Sequence, residues 1–211
     1  MTMRKTFFLL ALLLPLWCSA SGASVRDAWL SMPDSLSPYL DKNLRQELVE
    51  LHDLKVKAEV KNLLNGNSVM DSLTTDYLSV KLSPSATLQM QMLPTAGGDS
   101  MICLVRSYYG PAAESEVTLY HKDWTLAQTL NLTEGGVGAY VAKPDTMSSE
   151  RFQTLTDYLS PLLVEAQLQP ANATLLLRPS VPLASKVDRK AVEAIVTARK
   201  LKWTGREFSA R

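Results

Sequence analysis

The sequence predicts a single α+β domain: an antiparallel meander sheet with an N-terminal helix and C-terminal helices packed on one face. Three observations lead there. Leu36, Leu40, Leu44, Leu48 and Leu51 form an apolar stripe at helical spacing. From Tyr77 the apolar period falls to two, and short strand-like runs continue as far as Val141. Helical spacing returns after Pro144. Helix, a run of strands, then helices mixed with strands is the order of a fold whose helices cover an antiparallel sheet.

The first residues read as an address. Met1–Lys5 carries Arg4 and Lys5, Thr6–Trp17 is almost wholly apolar, and small residues fill Ser19–Ala23. These are the three parts of a secretory signal peptide, 1–23, with cleavage expected after Ala20 or Ala23. The apolar stretch falls short of the ~20 residues that cross a bilayer as a helix. Bulky Trp17 directly before Cys18 is a poor fit to a lipoprotein site. Residues 24–211 then form one exported domain with no later transmembrane segment and Cys103 as its lone cysteine. A single cysteine makes no internal disulfide, and the apolar run Met101–Val105 marks it as a core residue.

Within the domain, Ser31–Asp34 and Asn43–Gln46 have capping-box spacing, which predicts a short helical turn and then a helix ending near Leu54. Val56–Val60 alternates and is closed by the turn pair Asn65-Gly66. Leu78, Val80 and Leu82, then Leu88, Met90 and Met92, alternate with polar residues and read as a hairpin. Its wet face, with Lys81, Gln89 and Gln91, is expected to meet solvent or a partner. Met101–Val105, apolar on both faces, is a central strand; Val117–Tyr120, Leu126–Leu132 and Val137–Val141 continue the sheet. Phe152, Leu155, Leu159, Leu162 and Ala166 share a helical stripe that Pro161 must kink or split. Thr174–Leu177 is strand-like, Ser185–Asp188 caps a further helix, and Leu201–Trp203 with Phe208 closes the chain as a hairpin.

Several segments resemble one family: Met32–Leu40, Asn65–Ser68, Leu73–Leu78, Leu93-Pro94, Ile102–Val105 and the pair Tyr120 and Trp124. Together they resemble an exported family of the Bacteroidales that is catalogued as a domain of unknown function. The resemblance runs from about Trp29 to Trp124, with echoes near Trp203. It implies a location in the Gram-negative envelope or periplasm, and it brings no catalytic residues with it.

Chemistry-bearing motifs are sparse. His52 and His121 are the only histidines, and the chain lacks H-E-x-x-H, C-x-x-C and G-x-S-x-G. No catalytic, cofactor or metal residues are expected, and no cofactor. Gly136 and Gly138 lack the third glycine of a dinucleotide loop. Glu114 and Glu116 read as a solvated strand edge, and Met90 with Met92 as core packing. The net charge of +1 excludes a dedicated nucleic-acid binder. Yet residues 186–211 carry eight basic and three acidic side chains, against twelve and eighteen in residues 24–185. That basic end either complements the acidic body or offers a face to phosphate-rich lipid, anionic glycan or an acidic partner.

Asp34-Ser-Leu, Asp71-Ser-Leu, Asp99-Ser-Met and Asp145-Thr-Met all match Asp, then Ser or Thr, then an apolar residue. The triplet resembles the O-glycosylation acceptor of Bacteroidales envelope proteins, with Ser72 and Ser100 preferred over Ser35 and Thr146 because the latter two adjoin predicted helices. The function expected is a non-enzymatic accessory or structural protein whose rigid sheet presents a surface to an envelope protein or glycan. The competing expectation, a small-molecule-binding or hydrolytic protein with a distributed site, needs a deep pocket with convergent polar groups.

Overall fold

The computed structural model describes residues 24–181 and 186–210, with backbone alone for 186–188. The expected leader, its cleavage points at Ala20 and Ala23, and the capping box at Ser185–Asp188 lie outside the described residues. Four helices, α1 (Val25–Ser31), α2 (Lys42–Asp53), α3 (Ser149–Asp157) and α4 (Lys186–Glu193), accompany eleven strands. Strands β1 (Glu59–Lys61), β2 (Asn67–Leu73), β3 (Tyr77–Ser83), β4 (Ala86–Pro94), β5 (Ser100–Tyr109), β6 (Ala113–Tyr120) and β7 (Leu126–Thr129) form one antiparallel meander in sequence order. Strands β8 (Leu163–Gln169), β9 (Thr174–Ser180), β10 (Arg199–Trp203) and β11 (Phe208–Ala210) form a second antiparallel sheet in the order β11-β10-β9-β8.

The α+β architecture and its N-terminal helical cover follow the expectation. Val25, Trp29, Leu40 and Leu48 meet Leu78, Val80, Leu88, Met90, Ile102 and Leu104 on one face of the meander. The opposite face, with Leu93, Cys103, Val105, Val117 and Leu119, is covered by Val164, Ala166, Leu168, Leu175, Leu177 and Trp203 of the small sheet. A third apolar cluster joins α3 to the end of α4 through Leu155, Leu159, Val192 and Ile195. Cys103 is fully buried and burial pushes its thiol far up. A thiol reagent is therefore expected to leave Cys103 unlabelled in the folded protein and to reach it only after denaturation. Rapid labelling of Cys103 in the native protein would contradict this layering.

Five sequence expectations change. The stripe from Phe152 to Ala166 is not one helix: α3 stops at Asp157 and the chain becomes β8. Pro161 ends the helical hydrogen bonding, and beyond it Val164, Ala166 and Leu168 recur at the strand period of two. Val137–Tyr140 is a 3-10 turn and not a strand; Gly135 and Gly136, at φ 82° and 61°, bend the chain and drop Tyr140 into the core. The strand expected over Leu126–Leu132 ends at Thr129. The predicted boxes give way to other caps: Ser24 with Asp27 caps α1, and Asp41 caps α2 through Leu44 N at 2.9 Å.

The fifth change matters most for function. Gln89 and Gln91 do not face solvent. Gln91 is 1% exposed and its Nε2 donates to Pro170 O at 3.1 Å. Gln89 Oε1 accepts the Leu168 amide at 3.0 Å, and Ser115 Oγ accepts the Ala166 amide at 2.9 Å. These are backbone donors along the open edge of β8, which is the last strand of its sheet. An unpaired edge amide costs free energy when buried, so polar side chains on one sheet serve as the missing neighbour strand of the other.

Arg45 ties the helical cover together. It is 1% exposed, and its guanidinium donates to Trp29 O, Met32 O and Leu40 O at 3.1, 2.5 and 2.9 Å. Its remaining contact is Asp34 Oδ1 at 2.8 Å, and Trp29 Nε1 returns a bond to Arg45 O at 3.1 Å.

Candidate functional site

The small sheet leaves one broad face outward. Strand alternation turns Leu175, Leu177, Leu201 and Trp203 toward the core, so their neighbours point the other way. Register sets those neighbours in rows. Lys200 lies across from Leu176, which lies across from Gln167. Lys202 lies across from Thr174 on one side and Ser209 on the other. Arg178 stands opposite Glu165 without closing an ion pair within hydrogen-bond reach.

Leu176, at the centre, is 5% exposed yet belongs to none of the three apolar clusters. Its cross-strand neighbours on this face, Lys200 and Gln167, are both exposed. Arg178, Lys200 and Lys202 are exposed and make no ion pair among the described residues. Among the described residues of this face, three cations thus stand with one carboxylate, Glu165.

At the β10–β11 end this face opens into a hollow of about 370 Å³ lined by Lys202, Trp203, Thr204 and Ser209. Its wall is firmly held. Trp203 Nε1 donates to Pro94 O at 2.6 Å, and its ring meets Phe208 edge-on with centroids 5.3 Å apart. Gly205, at φ 93°, accepts the Ala96 amide at 3.1 Å; a side chain there would strain the backbone and crowd Ala96 N.

Comparison with known proteins bears on the fold. Residues 18–208 match the profile of DUF3256, described as a protein of unknown function. The chain belongs to this family. A solved structure described as a domain of an uncharacterized protein from Porphyromonas gingivalis W83 is similar to it with a TM-score of 0.71. That match covers 90% of this chain and 98% of the other at 17% identity, and so speaks for a shared fold. No curated protein matches the sequence. The Bacteroidales resemblance read from scattered motifs therefore stands as membership of DUF3256, with a neighbour from that order.

Elsewhere in this DUF3256 chain the other sequence candidates fall apart from one another. His52 lies in the last turn of α2, and its Nδ1 lies 4.0 Å from Asp53, whose carboxylate is gripped by both terminal nitrogens of Arg26 at 2.6 and 2.7 Å. His121 opens the β6–β7 turn, exposed. Neither histidine is joined to a serine, and no group of three metal-binding side chains occurs among the described residues. Ser31 instead bonds Asp27 O and accepts Trp124 Nε1 at 3.3 Å, which pins the turn to α1. The nearby hollow lined by Asp27, Ala28, Ser31, Met92, Ile102 and Lys122 holds only about 70 Å³. Glu116 pairs with Arg106 at 2.9 Å while Glu114 is exposed. Met90 and Met92 are core, as expected.

The four possible acceptors of sugar divide by exposure. Ser35 and Thr146 sit exposed in a 3-10 turn and a loop, whereas Ser72 and Ser100 are half-buried in strands. The two acceptors preferred from sequence, Ser72 and Ser100, are thus less accessible than Ser35 and Thr146.

Exposed ion pairs set the response to acid. The Arg26 guanidinium holds the Asp53 carboxyl below the usual carboxylate range, and Lys122, with the Ser100 amide, does the same for Asp99. A folded-state pKa below the unfolded one stabilises the fold above the unfolded value and is lost as pH falls through the folded one. Thermal stability is expected to hold between neutral pH and about pH 5, then decline below about pH 4. Asp53→Asn together with Asp99→Asn should flatten that decline; an unchanged acid limb would show that these pairs contribute nothing to it.

Proposed function

We propose that this DUF3256 chain is an exported, non-enzymatic accessory protein of the Gram-negative envelope or periplasm that binds a protein or glycan partner. The observation that carries this reading is the outward face of the small sheet, where Arg178, Lys200 and Lys202 stand exposed without ion pairs among the described residues. The leader pattern of residues 1–23 supports export. On the polar face of the β3–β4 hairpin, which motivated a binding role from sequence, Lys81 is exposed but Gln89 and Gln91 are engaged by the small sheet, so that role passes to the small sheet.

The test is a tagged protein carrying a photocrosslinker at Gln167, expressed in a Bacteroidales host, with the same group at Lys61 of β1 as control. The expected result is a stoichiometric envelope adduct from Gln167 alone, on a chain whose N-terminus is Ser21 or Ser24. Equal adducts from both positions, no adduct, or a cytosolic chain with its leader attached would overturn the reading. The same preparation tests O-glycosylation. Its intact mass is expected to exceed the polypeptide mass, with sugar on Ser35 or Thr146 ahead of Ser72 or Ser100. A mass equal to the polypeptide removes that modification.

A further inference from the structure

We infer that the partner of the small-sheet face is an anionic glycan; this rests on the binding role just proposed and names its ligand chemistry. The charge comes first. Arg178, Lys200 and Lys202 are exposed cations on one face, with Glu165 as the carboxylate set against them. Strand geometry places Lys200 and Lys202 about 7 Å apart, two residues along β10, so they reach successive charges on an extended polyanion.

The polar groups on either side of the cations are the second observation. Gln167 and Gln169 lie on the same face of β8, and Thr204 and Ser209 line the adjoining hollow. Amides and hydroxyls both donate and accept, which suits the hydroxyls of a sugar. The hollow sits beside Lys202, and the buried Trp203, bonded through its Nε1 to Pro94 O, holds that end of β10 in place. At about 370 Å³ it lies within the size range of small-ligand sites.

Two other anionic partners fit less well. A face that inserts into a bilayer carries apolar side chains beside its cations. Among the described residues, no large exposed apolar side chain belongs to this sheet. A protein interface is organised around a dry apolar centre. Here the centre is Leu176, already covered.

The experiment titrates the folded mature protein at low salt with oligogalacturonate. Dextran of matched length, vesicles containing phosphatidylglycerol, and polyglutamate are the comparison ligands. The expected result is salt-sensitive binding of oligogalacturonate that the three comparison ligands do not match. Lys200→Glu with Lys202→Glu should weaken it at least about tenfold, while Lys61→Glu leaves it unchanged. Arg178→Gln, a single surface change, is expected to weaken it as well and guards against misfolding of the double variant.

Absence of binding at low salt, equal binding of vesicles or polyglutamate, or indifference to the charge reversals would overturn the inference. Crosslinking from Gln167 without saccharide binding would sink this ligand and leave the accessory role standing. Failure of both would sink the two together.

Discussion

Arg45→Met is expected to cost roughly 3–5 kcal/mol of folding stability, read as a lower urea midpoint with an unchanged slope. The guanidinium donates to three carbonyls, of Trp29, Met32 and Leu40, on the segment that leads from α1 into α2. Methionine matches the stem but donates nothing, so buried carbonyls lose their partners at about 1–3 kcal/mol each. The Asp34 contact is the minor part, because that carboxylate is 62% exposed and solvent screens the pair. Asp34→Asn should therefore change stability by less than about 1 kcal/mol. If the two substitutions prove equally costly, Arg45 acts through its ion pair and not as a backbone clamp.

Gln89→Leu and Ser115→Ala should each cost about 1–3 kcal/mol, because each strips the acceptor from a part-buried amide of β8. Amide hydrogen exchange adds a local readout. Leu168 should exchange faster in the first variant and Ala166 in the second, while amides in the centre of the meander change only as far as global stability falls. Unaltered protection at both amides would mean that apolar packing alone holds β8 to the larger sheet.

These two devices also show what was legible in the sequence. The stripe that gives α2 and the alternation that gives β3 and β4 are local, and both could be read from spacing. Helix α1 begins just past the expected leader and is too short to show a stripe; its sign in the sequence is the Ser24–Asp27 box. Periodicity announces that Gln89 and Gln91 share a face, but not that another sheet lies over them. That fact depends on Pro161 ending α3 and on the strand period that begins just beyond it. The candidate site divides in the same way. A basic excess after residue 186 is countable, and Lys200 and Lys202 visibly alternate. Arg178 joins them only through the β9–β10 register, with Arg199 opposite Leu177 and Lys200 opposite Leu176.

The division into two sheets fixes the order in which the chain can complete itself. Everything needed for the meander and its helical cover is present by residue 129, but the lid over Leu93, Cys103, Val105, Val117 and Leu119 begins at residue 163. As the polypeptide emerges from amino to carboxyl end, a greasy plateau stands naked until the final quarter arrives. A newly made molecule must be shielded through that interval, and truncation before β8 would leave a half-finished particle that sticks to its siblings.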